Sequence, residues 1–262
     1  MSLIPGDKRQ KFFSHAKFFP SGIVACSIGS GDWLAPNTAD AAEEVSRAFG
    51  HPATVIKSGL RLGQGTCMEK STVLWYGDSK PSNNPELFIR LAAENPKQHF
   101  TMICSGSYDD SDYLSLSRRA MTLDNLWFIR NKNYQITDSH LVQTKLLVET
   151  HDSTDFSYKM LKACKSGTPI LSLNANPDNF LHEHNCGYCC SGDFQRLVNV
   201  FRFLISNDRY AQYFQSTTNY TKEHHDISVI AGYYKQLFSR LVNAEFENGD
   251  YNYFKQAVPS AV

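Results

Sequence analysis

The chain has no surplus of charge of either sign, since 26 basic residues are matched by 26 acidic ones. That balance removes the broad attraction on which non-specific binding to nucleic acid or to an anionic membrane surface depends. No apolar run approaches the ~18–20 residues needed to span a bilayer. Nor does Met1 to Lys17, which is mixed and charged, offer the apolar stretch of a secretion signal. A soluble, cytoplasmic protein without a transmembrane segment is therefore expected. Internal repeats and low-complexity tracts are missing too. The seven cysteines are an odd number, and several lie in apolar segments such as Ile23-Val24-Ala25-Cys26 and Thr101-Met102-Ile103-Cys104. There a free thiol acts as a small hydrophobe, and nothing argues for a disulfide framework.

What is present is ordinary globular composition: 42% apolar and 20% charged residues over 262 positions, enough for one large domain or two small ones. Short β-rich runs alternate with helical patterns. Strands are expected at 22–27, 53–57, 72–76, 99–104, 126–129, 145–149, 169–173 and 187–190. Several are continuous apolar runs, as in strands covered on both faces. Helices are expected at 38–49, 84–95, 112–121, 156–166, 177–184, 194–206 and 209–215. In the second of these Asn84 is a cap, Pro85 suits the first helical position, and Leu87, Phe88, Leu91 and Ala92 form one stripe. A long closing helix starts after Asp226, and 245–262 reads as a loosely held tail. This βαβα rhythm predicts an α/β fold, a parallel sheet flanked by helices.

Such sheets bind ligands beyond the carboxyl ends of their strands, at the point where the strand order reverses. The segments to inspect are then the loops after Tyr76, Cys104, Ile129 and Glu149. They hold Gly77-Asp78-Ser79-Lys80, Ser105-Gly106-Ser107, Arg130, and Thr150 to Ser157. The last runs straight into a helix whose first amides could meet an anion.

Taken in order, Thr72-Val73-Leu74-Trp75-Tyr76-Gly77, Asn84-Pro85-Glu86-Leu87-Phe88, Phe100 to Gly106, and Ser157 to Ile170 with its Gly167-Thr168-Pro169 ending carry a resemblance. The chain resembles, over residues ~70–242, the C-terminal, nucleotide-sugar-binding half of family 4-like GT-B glycosyltransferases. Residues 1–65 resemble the end of that family's N-terminal domain, 66–244 its Rossmann-like donor domain, and 245–262 a tail. The resemblance implies hexosyltransferase-type transfer from a nucleotide-sugar donor to a glycan, lipid-linked sugar or protein, without metal or other cofactor. It implies a donor site at Gly77, Lys80, Ser105, Gly106, Ile129, Arg130, Thr154, Asp155, Phe156, Ser157, Lys159 and Lys162.

The chain departs from the family where its charges matter. The Arg after the first glycine and the Lys before Asn-Pro-Glu, which commonly hold the diphosphate, correspond to Asp78 and Asn83. The two glutamates separated by seven residues correspond to Thr154 and Lys162. Lys159 and Lys162 are then the candidate phosphate cations, the alternative being that both lie on a solvated helix face. Only about 60 residues precede the recognisable domain, too few for an acceptor half. Either another polypeptide supplies it, or the chain is a fragment, or acceptor recognition is reduced; a homo-oligomer or a partner chain is the corresponding expectation. A catalytically inactive, glycosyltransferase-like binding module is the competing function.

Two other motifs compete for attention. His182-Glu183-His184-Asn185-Cys186-Gly187-Tyr188-Cys189-Cys190 contains a zinc-type Cys-x-x-Cys spacing. Strand alternation should nevertheless point Cys189 and Cys190 to opposite faces, and no second ligand pair completes a site. His224-His225 reads as part of a solvated turn. Aromatic residues make up 13% of the chain, but most fall at core spacing and no basic stripe accompanies them, so core packing is a better account than a base-stacking surface, and no nucleic acid is expected. The Phe12-Phe13 and Phe18-Phe19 pairs read as a docking surface.

Overall fold

The structure, a computed structural model, describes residues 24–28, 31–49, 53–63, 69–107, 109–130, 138–152 and 156–247. It divides into two compact units. One combines Met1–Leu62 with His224–Val262, and the other is Gly63–Glu223. The Phe12-Phe13 and Phe18-Phe19 pairs lie outside the described residues, as do 248–262.

In the first unit β1 (Val24–Ile28) and β2 (Gly31–Ala35) pair antiparallel and are followed by α1 (Ala39–Phe49). The strand expected at 53–57 does not form. Its β-forming residues find no neighbouring strand among the described residues: the Ile56 amide bonds to the Pro36 carbonyl at 2.9 Å, and the Ile56 side chain is buried with Ile230 and Leu237. A single parallel bridge joins Leu60 to Asp226.

The second unit is built on six parallel strands: β3 (Thr72–Asp78), β4 (Phe100–Ser105), β5 (Leu126–Arg130), β6 (Thr144–Glu149), β7 (Ile170–Ser172) and β8 (Gly187–Cys189). Their order across the sheet is β5-β4-β3-β6-β7-β8. The chain thus grows outward from β3 in one direction, returns, and grows in the other, so the order reverses between β3 and β6. This is the α/β, Rossmann-like architecture expected from the sequence.

Both faces are covered, as the continuous apolar runs required. On one, α2 (Pro85–Ala93), α3 (Ser111–Ala120) and, further along the chain, the helix Phe194–Ile205 bury Val73, Trp75, Phe100, Met102 and Cys104. On the other, α4 (Asp138–Val142), α5 (Tyr158–Lys165) and α6 (Phe180–Glu183) bury Leu74, Ile103, Leu147 and Ile170. Strand alternation sorts consecutive residues between the layers.

After α7 (Phe194–Ile205) the expected short helix at 209–215 is instead a 3-10 stretch, Ser206–Tyr213. It leads into an unforeseen α8 (Phe214–His225). Threonines make this segment a poor helix former by propensity. In the fold the hydroxyls of Thr217, Thr218 and Thr221 donate to carbonyls one turn back at 2.8–3.0 Å, so they are satisfied within the helix. His225 also departs from the expected solvated turn: it is buried, with Nδ1 2.7 Å from the Ser58 carbonyl. The closing α9 (Ile227–Glu247) starts after Asp226, whose carboxylate accepts from the Ser228 amide at 2.9 Å. Among the described residues no helix is long and apolar enough to cross a membrane.

Candidate functional site

The carboxyl ends of β3 and β6 flank the reversal of strand order, and the loops that follow them are tied together. Trp75, buried in β3, donates its indole N–H to the Thr150 hydroxyl at 2.8 Å, and that hydroxyl donates to the Asn83 carbonyl. Asn84 adopts the left-handed conformation (φ 46°), which asparagine tolerates better than most residues. Its amide donates to the Thr150 carbonyl at 3.2 Å and to the Asp152 carboxylate at 2.6 Å. The Asp152 amide returns a bond to the Ser82 carbonyl. These bonds hold two loops from opposite sides of the reversal as one piece.

Beneath them lies an ion pair. Lys159, in the first turn of α5, places Nζ 2.8 Å from Oε2 of Glu149, the last residue of β6. The same Nζ donates to the Tyr76 carbonyl of β3 at 2.9 Å. The side chains are 13% and 2% exposed. The other Glu149 oxygen accepts the His151 amide at 3.2 Å. An ammonium has three donors. Two are used here, and the third has no partner among the described residues. Lys159 is therefore drawn into the strand ends, and the solvated-face alternative does not hold for it. Lys162, half-buried, lies over the Tyr158 ring with Nζ 5.5 Å from its centroid.

Three hydroxyls in the same layer have no hydrogen-bond partner among the described residues: Ser105, Ser157 and Ser172. Ser105 ends β4 in register with Asp78, and Ser172 ends β7 in register with Glu149. Ser157 occupies the cap position of α5 without its side chain capping the helix. A buried hydroxyl left unpaired costs about 1–3 kcal/mol. Each can donate to a phosphate oxygen and can donate to or accept from a sugar hydroxyl.

The remaining expected residues divide. Lys80 is 74% exposed and pairs with Asp78 at 3.3 Å. Asp78 also accepts the Lys80 amide and the Asn83 side-chain amide, so its carboxylate organises the turn after β3. Gly77 and Gly106 make room for the protein's own rings. A Cβ on Gly77 would lie 2.7 Å from the Trp75 indole, and one on Gly106 2.2 Å from Tyr113. Arg130 reaches the Gly106 carbonyl at 3.4 Å, and Ile129 is half-buried against the helix α5 side of the core. Phe156 packs on Phe180 with centroids 5.3 Å apart. Thr154 and Asp155 lie outside the described residues. The sequence reading missed Glu149; a lone acid ending the apolar run Leu146-Leu147-Val148 was its available signal.

At the edge of this region Ser79 donates to Asp110 at 2.9 Å, and Asp110 caps α3. The Ser79 bond, with the helix amides behind it, holds the Asp110 carboxyl below the usual carboxylate range. Burial, reinforced by Asp78 and Asp110, pushes the Cys104 thiol up to about 12. In the His/Cys stretch, Cys186 and Cys189 join the α5 side of the core and Cys190 the other, as alternation predicted. Among the described residues no three His, Cys, Asp or Glu side chains are grouped to hold a metal.

No protein-family model matches the chain, and no curated protein matches it in sequence. Solved structures do match in fold. HepE of Anabaena in complex with UDP superposes with a TM-score of 0.67 at 18% identity, over 79% of this chain and 63% of that one. A mutant of S. aureus TarM in complex with fondaparinux, alpha-GlcNAc-glycerol and UDP gives 0.64 at 15%, over 78% and 43%. A glycosyltransferase from Rickettsia africae gives 0.68 at 7%, over 92% and 69%. The chain spans less than two thirds of the length of the first two. The fold is that of the C-terminal half of GT-B glycosyltransferases.

Proposed function

We propose that the carboxyl edge of the second unit's sheet binds a nucleotide-activated sugar and that the protein serves glycosyl transfer, the acceptor half being completed elsewhere. The observation that carries this reading is Lys159: a lysine held at the β3/β6 reversal with one N–H unspent, in the same layer as the unpaired hydroxyls of Ser105 and Ser157. In transfer from a nucleotide-sugar, negative charge builds on the departing diphosphate as the glycosidic bond breaks. A fixed ammonium and fixed hydroxyl donors stabilise that charge without reorganising. HepE is solved with UDP and with UDP-glucose, which makes uridine nucleotides the first probes.

Calorimetric titration with UDP, UDP-glucose and the corresponding adenosine, guanosine and thymidine compounds tests the reading. Saturable binding of one series is expected, weakened by roughly 1.5–3 kcal/mol in Lys159→Met, the loss of a charged hydrogen-bond partner. Absence of binding by every compound to a folded sample overturns it.

The offset of Lys159 by Glu149 favours one second reading, a binding module without turnover. Binding of the intact sugar nucleotide, with no transfer or hydrolysis over hours, would separate it from the first.

A further inference from the structure

We infer that Glu149 is a positioning residue with a second role: it offsets much of the charge of the phosphate-binding lysine, so the site gives ligands of higher charge little advantage. This inference rests on the nucleotide-sugar reading above. Oε2 of Glu149 lies 2.8 Å from Lys159 Nζ, and its other oxygen is fixed by the His151 amide. The carboxylate is essentially inaccessible to solvent, so water and salt screen it little. A phosphate oxygen bonded to the third N–H of Lys159 sits one hydrogen bond from the ammonium, and tetrahedral geometry puts it about 4.6 Å from the carboxylate oxygen. Repulsion from the carboxylate then offsets more than half of the attraction to the ammonium. Lysine supplies a directed hydrogen bond and a much reduced net field.

Charge selectivity is the consequence. A sugar nucleotide, the bare diphosphate it leaves behind and the triphosphate differ by about one negative charge per step near pH 8. An isolated lysine binds each step more tightly. The Glu149–Lys159 pair does so far less, so the spent diphosphate gains little hold over the donor that produced it, and its release is eased.

Affinities for UDP-glucose, UDP and UTP, or for the same series of whichever nucleoside binds, are measured without divalent metal on wild type and Glu149→Gln. Glutamine keeps the shape and an acceptor for Lys159 but removes the charge. The expected gain on substitution is at least tenfold larger for the triphosphate than for the sugar nucleotide. A role confined to holding the fold would shift all three affinities by a common factor, and that result overturns the inference while leaving the nucleotide reading intact. No binding of any series to folded wild type overturns both. If Glu149→Gln fails to fold, wild type decides alone. Its affinity for the diphosphate should change less than threefold between 50 and 200 mM salt, roughly a twofold change in Debye length; a tenfold loss overturns the inference.

Discussion

Removing the lysine of the buried pair should cost more than removing the pair. In Lys159→Met the Glu149 carboxylate keeps only the 3.2 Å bond from the His151 amide and stays enclosed, its side chain 2% exposed. Breaking a buried pair on one side typically costs about 3–5 kcal/mol. Because Lys159 itself is 13% exposed and a methionine fills its stem's volume, the low end, about 3 kcal/mol, is expected. For a domain of this size that lowers Tm by roughly 6–12 °C. The double variant Lys159→Met/Glu149→Leu removes the stranded charge and should return to within about 1 kcal/mol of wild type. The coupling between the two sites is then about 2 kcal/mol or more. Urea unfolding, with a denaturant that adds no ions, is the suitable assay. Tryptophan emission reports it: Trp75 is fully buried beside the site, whereas Trp127 is 74% exposed and changes little. A loss below about 1 kcal/mol in the single variant, or a double variant less stable than the single, would refute the reasoning.

Four further outcomes test the surrounding structure. In Gly187→Ala the new Cβ would fall 1.9 Å from the Ile170 carbonyl oxygen, a backbone atom of the paired strand, and the loss in urea unfolding should reach about 3 kcal/mol. Gly192→Ala, where the φ of +82° is strained but nothing lies within 4 Å, should lose only about 1 kcal/mol. The lowered Asp110 carboxyl contributes stability that is complete above the unfolded value of about 3.9 and lost as pH falls through its folded one. The acid limb of a pH–stability curve should therefore be shallower for Asp110→Asn than for wild type, and an unchanged limb would count against the Ser79–Asp110 bond. Cys104 and Cys190, both pushed up to about 12 chiefly by burial, should resist a thiol-specific disulfide reagent at pH 8 until urea opens the fold. Modification at native conditions within minutes, read by peptide mass, would contradict their placement.

The sheet was legible because its signal is local. Runs such as Val73-Leu74-Trp75 are apolar on both sides, and a strand with two covered faces is the state that buries them all. Elements whose stability is borrowed were not legible. Residues 53–57 have strand-like side chains but no partner strand among the described residues, while α8 overcomes its poor propensity by folding threonine hydroxyls back onto its own carbonyls. At the site, Lys159 was readable as a cation on the first turn of a helix. Its partner was not, because Glu149 meets it only once β6 is in register with β3 and α5 has docked. Gly77 and Gly106 illustrate the converse difficulty: a glycine in a loop suggests space for a ligand, yet here the space is filled by Trp75 and Tyr113.

The split of the first unit between the two ends of the chain sets an order of events during synthesis. Ile56 leaves the ribosome early, but Ile230 and Leu237, against which it is buried, emerge only after the whole of Gly63–Glu223. Every strand of the parallel sheet is by then available to pair. Collapse of that intervening stretch shortens the effective loop that the two ends must close, which lowers the entropic toll of bringing them together. Until then the early segment waits with its apolar residues uncovered, the interval in which a nascent chain has most need of protection from aggregation.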